Sequence, residues 1–537
     1  MSLLWFLQSF FLFSSFLASA SANTDDDAAQ FEMFHRHAPQ VYKNGTTLGP
    51  PKSQLERVKQ LVHSDNARQQ MISHRLVKSS SNRRKAYEFQ DGNNNNYNVQ
   101  PVDIPMRSAA DTGAGQYFVS FRVGSPPQKF VLIADTGSDV TWMNCYYRPS
   151  PVCHRESCPN LDVTRRIFHA SRSPTFKTIP CVSDLCKFDL SGSFSMDYCP
   201  TALSPCEFEY SYADGSRALG IFANETVTVG LELHKHRKKK LHNVLIGCSQ
   251  INEGTVHAFD GVMGLGYSKH SFAVRVAKEF GYMFSYCLVD HLSPSNFANY
   301  LSFGRQSKGS KLHNMQYTKL ILGVINPFYA VNVAGISIGG TILKIPSEVW
   351  DIEGNGGVII DSGTSLTALT ELAYKPVIAA LDPHLKNFQK LDIDIEELNY
   401  CFNATGFKES LVPKLAFHFD DGAQFVPPVK SYVIDADDGV KCLGFTSIKW
   451  PGNSIIGNIM QQNHFWEFDL VGKKLGFAPS SCTMLESKLE YFSFYGGLGA
   501  NHDQIKAIFE SHVFLVGYQI VVGLRELAEA YMYTTEK

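Results

Sequence analysis

The sequence predicts an all-β protein, mainly β with short helices, folded as two related lobes around a cleft. Three observations predict it. Short alternating apolar runs are broken by Gly, Pro, Asn and Ser; helical periodicity is brief; and a buried strand runs twice into the same Asp-Thr/Ser-Gly turn. The alternation is plain in Gln116-Tyr-Phe-Val-Ser-Phe-Arg-Val and Tyr329-Ala-Val-Asn-Val-Ala-Gly-Ile-Ser-Ile. Helical spacing is confined to Phe272 to Phe280 and Glu371 to Leu381, which predicts short helices lying on a β framework.

The repeat sets Phe130-Val-Leu-Ile-Ala-Asp135-Thr136-Gly137-Ser138 against Gly357-Val-Ile-Ile-Asp361-Ser362-Gly363-Thr364. Each copy has a downstream companion in which apolar residues precede a glycine, Gly261-Val-Met-Gly264 and Ser454-Ile-Ile-Gly457. Two homologous lobes with one carboxylate each follow from that recurrence. Asp111-Thr112-Gly113 has no strand before it and is set aside.

Composition narrows the function. The 537 residues are 44% apolar, enough for a sizeable core, and 49 Lys+Arg stand against 51 Asp+Glu, so there is no basic field for nucleic acid. Twelve cysteines include no C-x-x-C pair, which favours disulfides in an oxidising compartment over a zinc or redox site. No metal site is expected, since the histidine pairs His35/His37 and His234/His236 lie in polar segments without further ligands.

The chain ends read differently from the middle. Leu3 to Ala18 is apolar and precedes Ala20-Ser21-Ala22, the pattern of a secretory signal peptide over residues 1–22. That signal predicts passage through the secretory pathway to the extracellular space or vacuole, with a plastid as the alternative, and makes the sequons at Asn44, Asn224 and Asn403 candidate glycosylation sites. Residues 23–107 are polar and read as a prosegment. Residues 1–110 carry 12 Lys+Arg against 9 Asp+Glu, so a basic leader could cover an acidic cleft and detach when carboxylates protonate. A first lobe is expected over 108–322 and a second over 323–482; residues 483–537 form a tail with no assigned role, whose apolar run Val513 to Leu524 is too short to span a bilayer.

Two carboxylates brought together can do specific chemistry. Glycines Gly137 and Gly363 allow two turns to approach closely, and the hydroxyls of Ser138 and Thr364 can donate to the carboxylates. Adjacent carboxylates share one proton, so a water between them meets a base on one side and an acid on the other. That arrangement hydrolyses a peptide bond with neither metal nor covalent intermediate.

Asp135-Thr-Gly-Ser-Asp-Val-Thr-Trp142, Tyr212-Ala-Asp-Gly-Ser216, Val262-Met-Gly-Leu-Gly266, Asp361-Ser-Gly-Thr-Ser-Leu-Thr367 and Ile455-Ile-Gly-Asn458 resemble the pepsin-like aspartic proteases. The cysteine-rich first lobe, Phe284-Ser-Tyr-Cys287 and Asn458-Ile-Met-Gln-Gln-Asn463 are similar to the plant nepenthesin-type branch, and most of all to its NANA-type members. The resemblance covers about residues 105–482. It implies a bilobal, pseudo-twofold fold, an aspartic endopeptidase with Asp135 and Asp361 as its catalytic pair, and no cofactor. It further implies a monomer acting on polypeptide substrates with apolar residues flanking the scissile bond, pepstatin sensitivity, and a prosegment that inhibits its own chain. Tyr212 matches the flap tyrosine that closes over substrate, Trp142 the indole that hydrogen-bonds it, and Thr136 and Ser362 the hydroxyls that cross-brace the two turns. Ala213 departs from the usual flap glycine, the saposin-like insert of vacuolar relatives is absent, and the tail beyond Cys482 lies outside the pattern.

With a division near residue 322, nine cysteines fall in the first lobe and three in the second, so full oxidation needs a bridge between lobes. Cys401 is expected to pair with Cys442, and Cys482 with Cys248 or Cys287. Rival signals are weaker. Gly335-Ile-Ser337-Ile-Gly339 matches a serine-hydrolase pattern but sits in continuing β-alternation, and Lys235-His-Arg-Lys-Lys-Lys240 lies between strand-like runs, as a solvated hairpin tip would. A binding protein of the same fold would have lost an aspartate or its hydroxyls; here both sets are intact.

Overall fold

A computed structural model describes residues 54–56, 58–59, 62, 65–66, 68–69, 102–108, 117–147, 166–190, 201–211, 217–230, 238–253, 260–290, 299–304, 314–393, 395 and 398–482. The expected signal peptide, the sequon at Asn44, the flap residue Tyr212 and the tail lie outside the described residues.

The alternating runs form strands as expected. Tyr117–Val123 folds back on Gln128–Asp135 in an antiparallel pair, and Tyr117, Val119, Phe121 and Val123 on one face all enter the core. A backing sheet joins the two halves of the chain. Val102–Ser108 pairs with Asn299–Phe303, which pairs with Met283–Cys287; that strand runs antiparallel to His464–Asp469, followed by Lys474–Pro479 and Gln316–Ile321. Phe284 and Phe468, directly opposite each other across the central junction, stack with ring centroids 4.6 Å apart. The leader boundary expected at residue 107 falls inside Val102–Ser108, and Gln316–Ile321, expected to end the first lobe, pairs with strands of the second.

The two helical signals become Phe272–Ala277, capped by the Ser271 hydroxyl accepting from Val274 N at 3.2 Å, and Glu371–Leu385, which buries Ala373, Val377, Leu381 and Leu385 along one face. Cys401 is bonded to Cys442, Cys482 reaches back to Cys287, and Cys248 is bonded to Cys145. The Cys287–Cys482 bridge lies beside the central strand junction and ties the two halves together. Asn224 is half-buried within Arg217–Gly230, and Asn403 ends the short strand Cys401–Asn403.

Ser337 of the serine-hydrolase-like pattern hydrogen-bonds His418 Nε2 at 2.7 Å, yet it is buried inside Val333–Ile338. Gly339 and Gly340, with φ of 59° and 80°, turn that strand into a hairpin with Thr341–Ile342. No strand-to-helix elbow exposes the hydroxyl, so the pair is a cross-strand contact to the neighbour Leu415–Phe419.

Candidate active site

Each predicted aspartate ends a buried strand and is positioned by a parallel neighbour. Asp135 closes Gln128–Asp135, where Gly264 of Gly261–Gly264 lies opposite it. Asp361 follows Val358–Ile360, which runs parallel to Ser454–Ile456. The companion motifs found in the sequence are therefore the strands beside the aspartates.

The turns are built alike. Gly137 N donates to Asp135 Oδ1 at 2.9 Å and Gly363 N to Asp361 Oδ1 at 3.0 Å. The Ser138 hydroxyl donates to Asp135 Oδ2, and Thr364 Oγ1 to Asp361 Oδ2 at 2.6 Å. A Cβ at Gly363 would overlap Asp135 Oδ1, so glycine is required by the approach of the opposite carboxylate. The turns also brace each other. Thr136 N donates to Ser362 Oγ at 3.1 Å, Ser362 N to Thr136 Oγ1 at 2.9 Å, and Ser362 Oγ to Ala134 O at 2.9 Å. Trp142 is buried at the start of Trp142–Tyr146, opposite Val262 of Gly261–Gly264, the strand that runs parallel beside Asp135.

Residues that the sequence reading did not single out complete the site. Arg68 of the leader lies between the carboxylates: Nε donates to Asp361 Oδ2 at 2.6 Å, Nη1 to Asp135 Oδ2 at 2.8 Å, and Nη2 to Asp361 Oδ1 at 2.8 Å and also to Asp135 Oδ1. Burial pushes the Asp135 pKa upward, but the Arg68 charge and its hydrogen bonds outweigh that and hold the carboxyl below the usual range. Burial disfavours the charged guanidinium too; the two carboxylates overcome this and keep it firmly protonated.

Arg68 is presented by a helical segment. The described residues between 54 and 69 are all helical, and Val58, Val62, Asp65 and Gln69 are buried at the spacing of one helix face. Val58 and Val62 pack with Leu366, Ile395, Leu398, Ile434 and Ile459. Asp65 accepts from Ser365 N at 2.8 Å and Leu366 N at 2.7 Å, Gln69 Nε2 donates to Thr446 Oγ1 at 3.0 Å, and Gln54 Nε2 donates to Asp435 O at 3.1 Å. Burial raises the Asp65 pKa to about 7, against the pull of those two amides and of Arg68.

Behind Asp361, Gln461 Nε2 donates to the Asp361 carbonyl at 3.2 Å and to Ile456 O at 2.8 Å, while its Oε1 accepts from the Tyr286 hydroxyl. Asn458 Nδ2 donates to Ser362 O at 3.0 Å. These residues were visible in the sequence only as part of the family-like run Asn458 to Asn463.

Two family models match, one described as xylanase inhibitor N-terminal over residues 117–305 and one as xylanase inhibitor C-terminal over 328–479. Aspartyl protease family protein 2 of Arabidopsis thaliana is 35% identical over 381 residues, covering 70% of this chain and 73% of that protein. Aspartic proteinase nepenthesin-2 of Nepenthes gracilis is 31% identical, covering 69% of this chain and 78% of that protein. The chain belongs to the pepsin-like aspartic protease family. It is an aspartic-type endopeptidase of the plant branch of that family. Among solved structures, the protease shares its fold with basic 7S globulin from soybean, at a TM-score of 0.56 and 19% identity over 71% of this chain and 97% of that one.

Proposed function

We propose that the protease is made as a secreted zymogen in which Asp135 and Asp361 are the catalytic pair and Arg68 keeps them idle. The observation that carries this reading is the single guanidinium bonded to both carboxylates, each of which already has its own glycine amide and hydroxyl donor. Arg68 beside Asp135 holds that carboxyl ionised, so it cannot serve as the acid. The guanidinium also fills the position a nucleophilic water needs.

Once the leader departs, two carboxylates this close cannot both ionise and share one proton. The ionised member then takes a proton from the attacking water. The protonated member donates to the carbonyl oxygen of the peptide as the tetrahedral intermediate forms, and the proton returns through the pair to the leaving amine. Tyr212 and Trp142 would close the flap over substrate, while the Thr136–Ser362 brace keeps the two carboxylates coplanar without a cofactor or metal. Polypeptides are the substrates, and the secretory route fits the signal-like leader and the disulfides.

The test is peptide hydrolysis across pH 3 to 8 by the full chain and by chain whose leader has been cleaved, each beside Asp361→Ala. Acid-activated cleavage that falls at least ~10³-fold in the variant is expected. Cleavage that survives in Asp361→Ala would overturn the assignment of the pair.

A further inference from the structure

Two buried tyrosines lie behind the aspartate turns, and each reaches out of its own half of the chain. Tyr286, on Met283–Cys287 of the first half, donates its hydroxyl to Gln461 Oε1 of the second. The Gln461 amide in turn donates to the Asp361 carbonyl at 3.2 Å and to Ile456 O at 2.8 Å. Tyr329, on Tyr329–Val331 of the second half and opposite Ile360 in register, donates to Leu265 O of the first at 2.7 Å. Leu265 N donates to the Asp135 carbonyl at 2.8 Å. Each aspartate is therefore tied, through one intermediary, to a tyrosine of the opposite half.

Packing alone does not require these hydroxyls. Both rings pack on Phe468, at centroid distances of 5.4 and 4.9 Å, in a cluster that Phe284 completes, and phenylalanine serves at those other two positions. A buried hydroxyl without a partner is costly, so the acceptor that each one meets explains its presence. Burial holds both phenols well above their ordinary pKa, and they stay donors in acid and at neutrality. Gln461 is fixed at its main chain too: Trp466, opposite Tyr286 across the strand junction, donates from Nε1 to Gln461 O at 2.9 Å.

We propose that Tyr286 and Tyr329 are positioning residues that convert the seating of one half of the chain on the other into the spacing of the Asp135 and Asp361 carboxylates. The proposal rests on the reading of those aspartates as the catalytic pair. Any sliding of the halves pulls each hydroxyl from its acceptor and shifts the main chain that carries the opposite aspartate. Tyr286 acts through a side-chain amide free to rotate once released, whereas Tyr329 acts on a carbonyl whose own amide is already held, so the Tyr286 hydroxyl should matter more. Carboxylates that stand further apart share their proton less tightly, so the two limbs of the kcat profile against pH should draw together.

The experiment measures cleavage of a reporter peptide from pH 3 to 8 by the chain after leader cleavage, beside thermal unfolding, for Tyr286→Phe, Tyr329→Phe, Gln461→Met, the double variant Tyr286→Phe with Gln461→Met, and Asp361→Ala. We expect kcat to fall ~10-fold in Tyr286→Phe and ~3-fold in Tyr329→Phe, KM to stay within about 2-fold, and the bell of kcat against pH to narrow by ~0.5 unit. The double variant should match Gln461→Met within about 2-fold, since the hydroxyl works through that amide. If Gln461→Met does not fold, the two Tyr→Phe variants, which keep both rings, carry the test. An unchanged kcat in Tyr286→Phe, a loss of kcat with the bell unmoved that follows a loss of folded protein, or an additive loss in the double variant would overturn the proposal. Cleavage lost in Asp361→Ala but intact in Tyr286→Phe would remove the positioning role alone; cleavage undiminished in Asp361→Ala would remove the catalytic pair and the positioning with it.

Discussion

The two lobes present nearly the same turn to the site, but they meet the leader in different ways. On the second lobe, the described leader residues insert two valines into an apolar groove, bond Asp65 to two backbone amides and set Gln69 on Thr446. On the first lobe, Arg68 reaches Asp135, and Val102–Ser108 pairs with Asn299–Phe303 and Tyr117–Val123. The described residues 54–69 thus rest on the second lobe, and Arg68 reaches across to the aspartate of the first. On the reading proposed above, a symmetric pair of carboxylates is silenced by an asymmetric inhibitor, and the contacts that hold the leader are separable from the contact that blocks.

The sharpest way to break that comparison is Arg68→Ala in the full chain. Removing one partner from a buried ion pair costs about 3–5 kcal/mol, on the order of 10²- to 10⁴-fold in the docking equilibrium. Cleavage by the unprocessed chain should rise by roughly that factor near neutral pH. The pH dependence should change as well. Arg68 lowers the Asp135 pKa, so the clamp stabilises docking fully above the ordinary carboxylate range and loses that contribution as pH falls through the lowered value. The wild-type chain should then be activated by acid at a step the variant lacks. Equal latency in the two chains would mean that the groove alone silences the site.

Asp65→Asn tests the second-lobe side with a smaller effect of opposite sign. Its pKa is raised to about 7 in the docked state, so its contribution is complete below about 4 and is lost as pH rises through about 7. A shift of that size has a ceiling of ~4 kcal/mol. Together with the clamp it predicts that the leader is held most tightly in mild acid and more weakly on both sides. The measurement is latent activity of the unprocessed chain between pH 4 and 7.5. The wild-type chain should become leakier toward pH 7.5, by ~10-fold or more, and Asp65→Asn should be flat over that window. A wild-type chain that tightens steadily up to pH 7.5 would rule Asp65 out as a titrating contact.

The sequence makes one side of this comparison legible and hides the other. Asp135-Thr-Gly-Ser and Asp361-Ser-Gly-Thr can be read because strand, glycine and hydroxyl recur together, and the parallel strands Gly261–Gly264 and Ser454–Ile456 carry the same signature. Local patterns of that kind survive without knowledge of the partner. Arg68 is one basic residue among many in a polar leader, and its role depends on where a helix is anchored. The anchoring face passes from apolar to polar members, Val58 and Val62 then Asp65 and Gln69, so the hydrophobic period ends after two valines. The Val58-x₃-Val62 spacing beside Leu55 was the signal available. Gln461 is hidden for a related reason: a buried amide that joins Asp361 O to Tyr286 takes its meaning from a strand 175 residues away.

That amide leads to the smallest and most exacting test, the pair Ser138→Ala and Thr364→Ala. Both remove a hydroxyl that donates to an aspartate, and a hydrogen bond to a charged group contributes about 1.5–3 kcal/mol. The turns behind them differ. The Asp135 carbonyl accepts from Leu265 N at 2.8 Å, a backbone contact, whereas the Asp361 turn is also gripped by the Gln461 and Asn458 side chains. Thr364→Ala should therefore leave its carboxylate closer to its working position, with kcat falling about 3-fold, against about 10-fold or more for Ser138→Ala. The Ser138 hydroxyl lowers the Asp135 pKa, so its loss should move the acid limb of kcat upward in pH in Ser138→Ala. KM should change little, because the hydroxyls face the carboxylates. Equal losses of kcat in the two variants would show that the side-chain amides behind Asp361 add nothing to what its own turn provides.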